Sequence, residues 1–189
     1  VKFSGIAWLH DDSGFLYSRY PKPQSVVAGE EGKTAGTETE GNRNMALYFH
    51  TVGTSQDDDI LVYRDPENPK MRFNASVSTD GEYVLLSVRE TTAPVNKVYW
   101  FKVDDFKACV ASKDCTALTI RKMVDNLEAG YEYVTNKGTG FYFKTNKDAP
   151  RYKVVRLDIE NPDEAGWKEI LPHREEVLSS AQCCSGDFL

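Results

Sequence analysis

The sequence has no run of 18 or more apolar residues, so it contains no helical span across a bilayer. Its four cysteines include no C-x-x-C pair, which removes the spacing of a zinc knuckle or a dithiol redox centre. Glycine-rich phosphate cradles are missing too: Gly32-Lys33-Thr34 lacks the upstream glycine of a phosphate-binding loop, and no apolar helix follows it. Positive charge is not in excess. With 23 Lys and Arg against 29 Asp and Glu the chain carries −6, which argues against phosphate-backbone binding as its main task. The acidic run "QDDDI" at 56–60 lacks the alternating ligands and the bend glycine of a calcium loop and reads as a solvated turn. No metal and no cofactor is implied. Helix signals are nearly absent as well: "VDDFKACVASKD" is expected to form a turn among strands and loops.

What remains is a folded globular chain of 189 residues, with 40% apolar and 12% aromatic residues. It begins on "VKFSGIAWLH" without a cleavable signal pattern and stops on "SGDFL", and both ends read as cuts from a longer chain. Cys109 and Cys115 flank "VASKD", a spacing that allows a small oxidised loop. Cys183 and Cys184 point to opposite faces of any strand they share. Reduced thiols in a cytoplasmic protein are expected for all four. Asn74-Ala75-Ser76 matches a glycosylation sequon by chance, in the absence of a secretion signal.

The stretch "STDGEYVLLSVRE" at 78–90 has counterparts in "HDDSGFLYSRY" and "TNKGTGFYFKTN". Each has a polar turn with glycine, then an aromatic, then the apolar–polar alternation of a half-buried strand. The aromatics are Phe15, Tyr83 and Phe141, separated by 68 and 58 residues. A short strand precedes each copy, and two more follow it, as in "NKVYWFKVD" and "ALTIRKMVD". Four short strands repeated about every 60 residues are the pattern of a β-propeller, whose units bury their faces by stacking on one another. A twelve-stranded β-sandwich is the competing architecture, and it does not require three matching copies. The fold class is therefore all-β, a partial β-propeller. The expected blades are 1–66, 67–125 and 126–175, with the start of a further blade at 176–189. Within the first blade, "PKPQSVVAGEEGKTAGTETEGNRN" makes a long polar loop where the other blades have short turns. On composition it is a solvated or functional surface loop.

Several pieces together resemble the β-propeller of the prolyl oligopeptidase family: "GTET", "STDGEYVLLSVRE", "PVN" and "YVTNKGTGFYFKTN". The resemblance runs in order over essentially the whole chain. It implies a seven-bladed ring capping a C-terminal α/β-hydrolase domain that carries a Ser–Asp–His triad. It also implies a cytosolic, monomeric serine peptidase cutting short peptides after proline, with some relatives that cyclise peptides. No G-x-S-x-G nucleophile elbow occurs here. His10, His50 and His173 read as ordinary surface histidines, so this segment alone is expected to be inactive.

The same resemblance implies that a few propeller side chains line the substrate cavity. The positions are Phe3, which keeps the family's aromatic, Arg72, which replaces a methionine, and Thr92, which replaces a cysteine. Arg89 matches a family arginine near that region, poised to pair with Glu90 or with a substrate carboxylate. The subsite is thus expected to be more polar and to accept acidic side chains. The loop segment "EEGKTAGTETEGN" corresponds to a family loop that gates entry. The alternative function is a non-catalytic propeller scaffold that binds peptides or proteins, because propellers host many functions.

Overall fold

In the computed structural model, residues 4–21, 42–184 and 187–188 are described, and of 187–188 only the backbone. Phe3 and nearly all of the long polar loop lie outside them. The first sheet comprises β1 (Ile6–Trp8), β2 (Gly14–Arg19), β3 (Ala46–Thr51) and β4 (Ile60–Arg64). The second comprises β5 (Arg72–Val77), β6 (Tyr83–Arg89), β7 (Lys97–Lys102) and β8 (Arg121–Val124), with helix α1 (Val103–Ser112) inserted between β7 and β8. The third comprises β9 (Tyr131–Lys137), β10 (Gly140–Thr145), β11 (Lys153–Asp158) and β12 (Lys168–Leu171). A short ribbon of β13 (Cys183–Cys184) and β14 (Asp187–Phe188) ends the chain.

Within each large sheet the strands lie side by side in chain order and every pairing is antiparallel. The chain is a partial β-propeller of three four-stranded blades. A shared irregularity marks them as copies. The register between third and fourth strand slips at Leu47/Tyr48 in the first blade, Val98/Tyr99 in the second and Val154/Val155 in the third. In each case the slip falls between the second and third residues of the third strand. Such bulges increase strand twist, which a blade needs to stack on its neighbours.

Period-two alternation divides each strand between two interfaces. In β6, Val84, Leu86 and Val88 join Leu16, Leu47 and Phe49 in the core between the first and second blades. Tyr83 and Leu85 belong instead to the core between the second and third, with Trp100, Phe141, Phe143, Val155 and Leu157. Two interfaces among three sheets rule out a two-sheet sandwich. The "STDG" turn is fixed by its own side chains. Tyr83 N donates to Ser78 Oγ at 2.9 Å, Glu82 N donates to Asp80 Oδ1 at 3.1 Å, and Gly81 takes a φ of +78° that disfavours a side chain.

Two expectations are corrected here. Residues 103–112 form a ten-residue α-helix, not a turn. Its cause is visible in Val103, Phe106 and Cys109, which recur at three-residue spacing and bury one stripe, with Asp104 and Asp105 in the first turn. Phe106 is fully buried against Phe49 and Phe101, so the helix caps the first interblade core. Secondly, Cys109 and Cys115 are joined by a disulfide, where reduced thiols were expected. Lys113 closes the helix in the left-handed conformation, turning the chain back until the two Cα atoms stand 4.8 Å apart. Cys183 and Cys184 are free. No helix among the described residues is long and apolar enough to cross a membrane.

Candidate functional site

The inner strand of the second blade decides where space is left. Phe73, Ala75 and Val77 of β5 pack into the first interblade core. The intervening Arg72, Asn74 and Ser76 line a cavity of about 650 Å³. From β6 and its following turn the cavity takes Ser87, Arg89, Thr91 and Thr92, and from the third blade Tyr131, Glu132, Tyr133 and Phe143. The second and third blades thus close on aromatic and aliphatic side chains at Tyr83, Leu85 and Trp100. Where β5 offers polar side chains instead, they leave a groove with an apolar floor and polar walls.

Arg72 and Arg89 are directly opposed in the β5–β6 register. Cross-strand neighbours of this kind have Cβ atoms about 5 Å apart, and like charges there repel. Arg89 Nε donates to Ser87 Oγ at 3.3 Å. Among the described residues neither guanidinium has a carboxylate partner, so of the two partners left open for Arg89, Glu90 does not engage it. On the other wall, Glu132 is committed to Lys144, with Nζ 3.0 Å from its carboxylate. Tyr133 donates its hydroxyl to Asn136 Oδ1 at 2.8 Å and accepts from Thr79 N at 2.9 Å, and burial raises its pKa, so it stays neutral.

Arg72, Arg89 and Thr92 therefore share one cavity, while Phe3 lies outside the described residues. Glu132, Tyr133 and Asn96 also line the cavity, and no motif in the sequence singles them out. A signal for the arginine pair existed, because residues 72 and 89 stand at the ends of the two arms joined by the "STDG" turn. The third-blade residues carried no such signal, since they reach the cavity only through blade stacking.

A second cavity, of about 600 Å³, lies on the face of the first blade turned away from the second, lined by Ser4, Phe15, Tyr17, His50, Gln56 and Asp59. His50 was expected to be a surface histidine and "QDDDI" a solvated turn. Instead His50 Nδ1 lies 2.7 Å from Asp59 Oδ1, and the Asp59 side chain is fully buried. Tyr17 donates its hydroxyl to the other Asp59 oxygen and accepts from Gln56 Nε2 at 3.1 Å. Burial, reinforced by that carboxylate, raises the Tyr17 pKa. Asp57 and Asp58 are exposed, as a turn requires. This is no hydrolytic triad. Ser4 Oγ donates to Gly5 O at 2.9 Å and accepts from Ser18 N at 2.9 Å, so that hydroxyl is engaged by main-chain groups.

Over residues 1–189 the chain matches the family described as prolyl oligopeptidase, N-terminal beta-propeller domain. It is 39% identical over 180 residues to a protein of Amanita bisporigera named prolyl oligopeptidase A, covering 95% of this chain and 22% of that one. It is 33% identical over 188 residues to a dual function macrocyclase-peptidase of Galerina marginata, covering 99% and 23%. A solved structure of prolyl oligopeptidase B from Galerina marginata, bound to a 35mer hydrolysis and macrocyclization substrate, superposes with a TM-score of 0.81 at 32% identity. It covers 99% of this chain and 24% of that one. The chain thus spans about a quarter of the length of the relatives it matches.

Proposed function

Because this chain belongs to the prolyl oligopeptidase family, as its N-terminal β-propeller segment, we propose that it serves a cytoplasmic serine endopeptidase that cleaves short peptides after proline. The catalytic residues belong to a C-terminal α/β-hydrolase domain of the same polypeptide, and no G-x-S-x-G elbow is present in this segment. The propeller restricts entry to small substrates and lines the outer part of the peptide's route. Phe3, Arg72, Arg89 and Thr92 contact the peptide N-terminal to its proline, and residues 30–42 act as a lid.

The observation that carries this reading is the cavity between the second and third blades, which gathers Arg72, Arg89 and Thr92 around a space of about 650 Å³, the size of a small-ligand or side-chain pocket. In the full-length protein a Ser hydroxyl attacks the prolyl carbonyl, with His as general base and an oxyanion hole for the tetrahedral intermediate. The test is to treat an extract with a serine-directed fluorophosphonate probe and detect this segment with an antibody to residues 30–42. A labelled band several times larger than 21.3 kDa is expected. An unlabelled band at the mass of this segment would favour a peptide-binding scaffold instead. Phe3→Ala is expected to lower kcat/KM for peptides extended N-terminal to the proline.

A further inference from the structure

We propose that Arg72 and Arg89 form a paired guanidinium site that selects peptides carrying an acidic side chain N-terminal to the proline. The proposal rests on reading the interblade cavity as part of the peptide's route.

The two arginines face each other across β5 and β6 and line one cavity with Ser76 and Ser87. Arg72 is half-buried and Arg89 exposed, so solvent screens their repulsion in part, and an anion held between them would relieve the rest. Nothing described in the protein supplies that charge. Glu132 is held by Lys144. Glu90 follows β6, is exposed, and forms no ion pair among the described residues. Tyr20 lies near enough to Arg72 to feel its charge, but burial raises the pKa of its phenol, so it remains neutral. By contrast Lys97, Lys107, Lys122, Lys144, Lys147 and Lys153 all have carboxylate partners.

The surroundings favour a carboxylate ligand. Guanidinium groups present planar donor forks that match a carboxylate with two parallel hydrogen bonds. Seryl and threonyl hydroxyls at Ser76, Ser87, Thr91 and Thr92 provide further donors, and Phe143 and Leu85 supply an apolar floor for the stem of a side chain. A glutamate side chain fits both halves of that description. A lysine side chain would meet two like charges.

The experiment uses the full-length protein and fluorogenic proline peptides with Glu, Gln or Lys at each position before the proline in turn. At one of these positions kcat/KM is expected to rank Glu over Gln over Lys, with Glu preferred to Gln by about five- to tenfold. Higher ionic strength narrows the ratio. Arg72→Met brings it close to unity, whereas Arg72→Lys keeps a preference for Glu, and the thermal midpoints of both variants check their folding. Equal rates for Glu and Gln at every position, or a ratio untouched by Arg72→Met, would overturn the proposal while leaving the prolyl peptidase reading intact. If no proline peptide is turned over, that reading fails by itself. The arginine pair is then judged by fluorescence anisotropy of labelled Glu and Gln peptides, where equal dissociation constants overturn it and tighter Glu binding sustains it.

Discussion

The carboxamide of Asn96 holds both main-chain groups of Tyr131: Tyr131 N donates to Oδ1 at 2.7 Å, and Nδ2 donates to Tyr131 O at 3.2 Å. A side chain of the second blade thus stands in for the missing strand neighbour of β9. Asn146 repeats the device in the reverse direction, accepting from Gly130 N at 2.6 Å and donating to Pro94 O at 3.1 Å. The seam borders the cavity, because Asn96 also lines it. The spacing of the two blades beside the groove is therefore held by asparagine side chains bonded to the main chain and by aromatic packing together.

Asn96 is wholly buried, so truncating it leaves a main-chain donor and acceptor of Tyr131 without partners. Asn96→Ala is expected to lower the stability of the propeller by about 3 kcal/mol, from two unpaired buried groups. Urea unfolding of the full-length protein, followed by the fluorescence of propeller tryptophans, measures it. An unchanged midpoint would show that the seam does not hold the blades.

Phe106 gives a packing test on the other interface. It is fully buried, meets Phe49 edge-on with ring centroids 5.1 Å apart, and also touches Phe101. Phe106→Ala is expected to cost about 3–5 kcal/mol, and Phe106→Leu clearly less. Equal thermal midpoints for the two variants would mean that the helix does not depend on this side chain.

The disulfide at the end of α1 is expected to resist alkylation. Without reductant, iodoacetamide should modify Cys183 and Cys184 but neither Cys109 nor Cys115, as read by peptide mass. Closing so short a loop stabilises by about 2 kcal/mol in the chain-entropy account, so Cys115→Ser should lower the thermal midpoint. Alkylation at Cys109 before reduction would show that the bond is absent.

Legibility of the sequence followed the range of the interactions. Strands and their order were readable, because alternation and glycine turns are local. The face assignments were not fully so. Phe15, Tyr83 and Phe141 look equivalent in sequence, yet Phe141 turns back toward the second blade and Tyr83 turns forward to meet it, with ring centroids 5.4 Å apart. The structural counterpart of Phe141 in the second blade is Val84, one residue on, and a shift of one residue reverses the face of a strand. The helix has a weak local signal, because its apolar stripe is only three residues long and its stability comes from Phe49 and Phe101, which lie elsewhere in the chain. In the sequence Asp59 is one acid of a polar run with nothing local to mark it as buried. Its burial depends on Tyr17 and His50, from two other strands. Of the site, the arginines were visible as single positions, and their opposition followed once the hairpin register was known.

Tyr131 provides a pH-dependent test of the second interblade core. Its ring packs edge-on against Trp167 and Phe143, and its hydroxyl is buried without a hydrogen-bond partner among the described residues. Burial, with smaller contributions from Glu164, Glu128 and Asp148, pushes its pKa up to about 12. An unfolded tyrosine loses its proton near pH 10, so between about pH 10 and 12 the unfolded chain binds fewer protons than the folded one. The stability this group contributes is therefore complete below about pH 10 and is lost as the pH rises through the folded value. Tyr131→Phe removes that loss and the unpaired hydroxyl together. The variant is expected to match or exceed the parent's stability at neutral pH, by up to about 1 kcal/mol. Above about pH 10 its stability should fall less steeply, although Tyr99 and Tyr133, also raised by burial, keep some slope. Thermal midpoints of both proteins across the alkaline range check this, and parallel slopes would show that the Tyr131 hydroxyl is not held protonated by the fold.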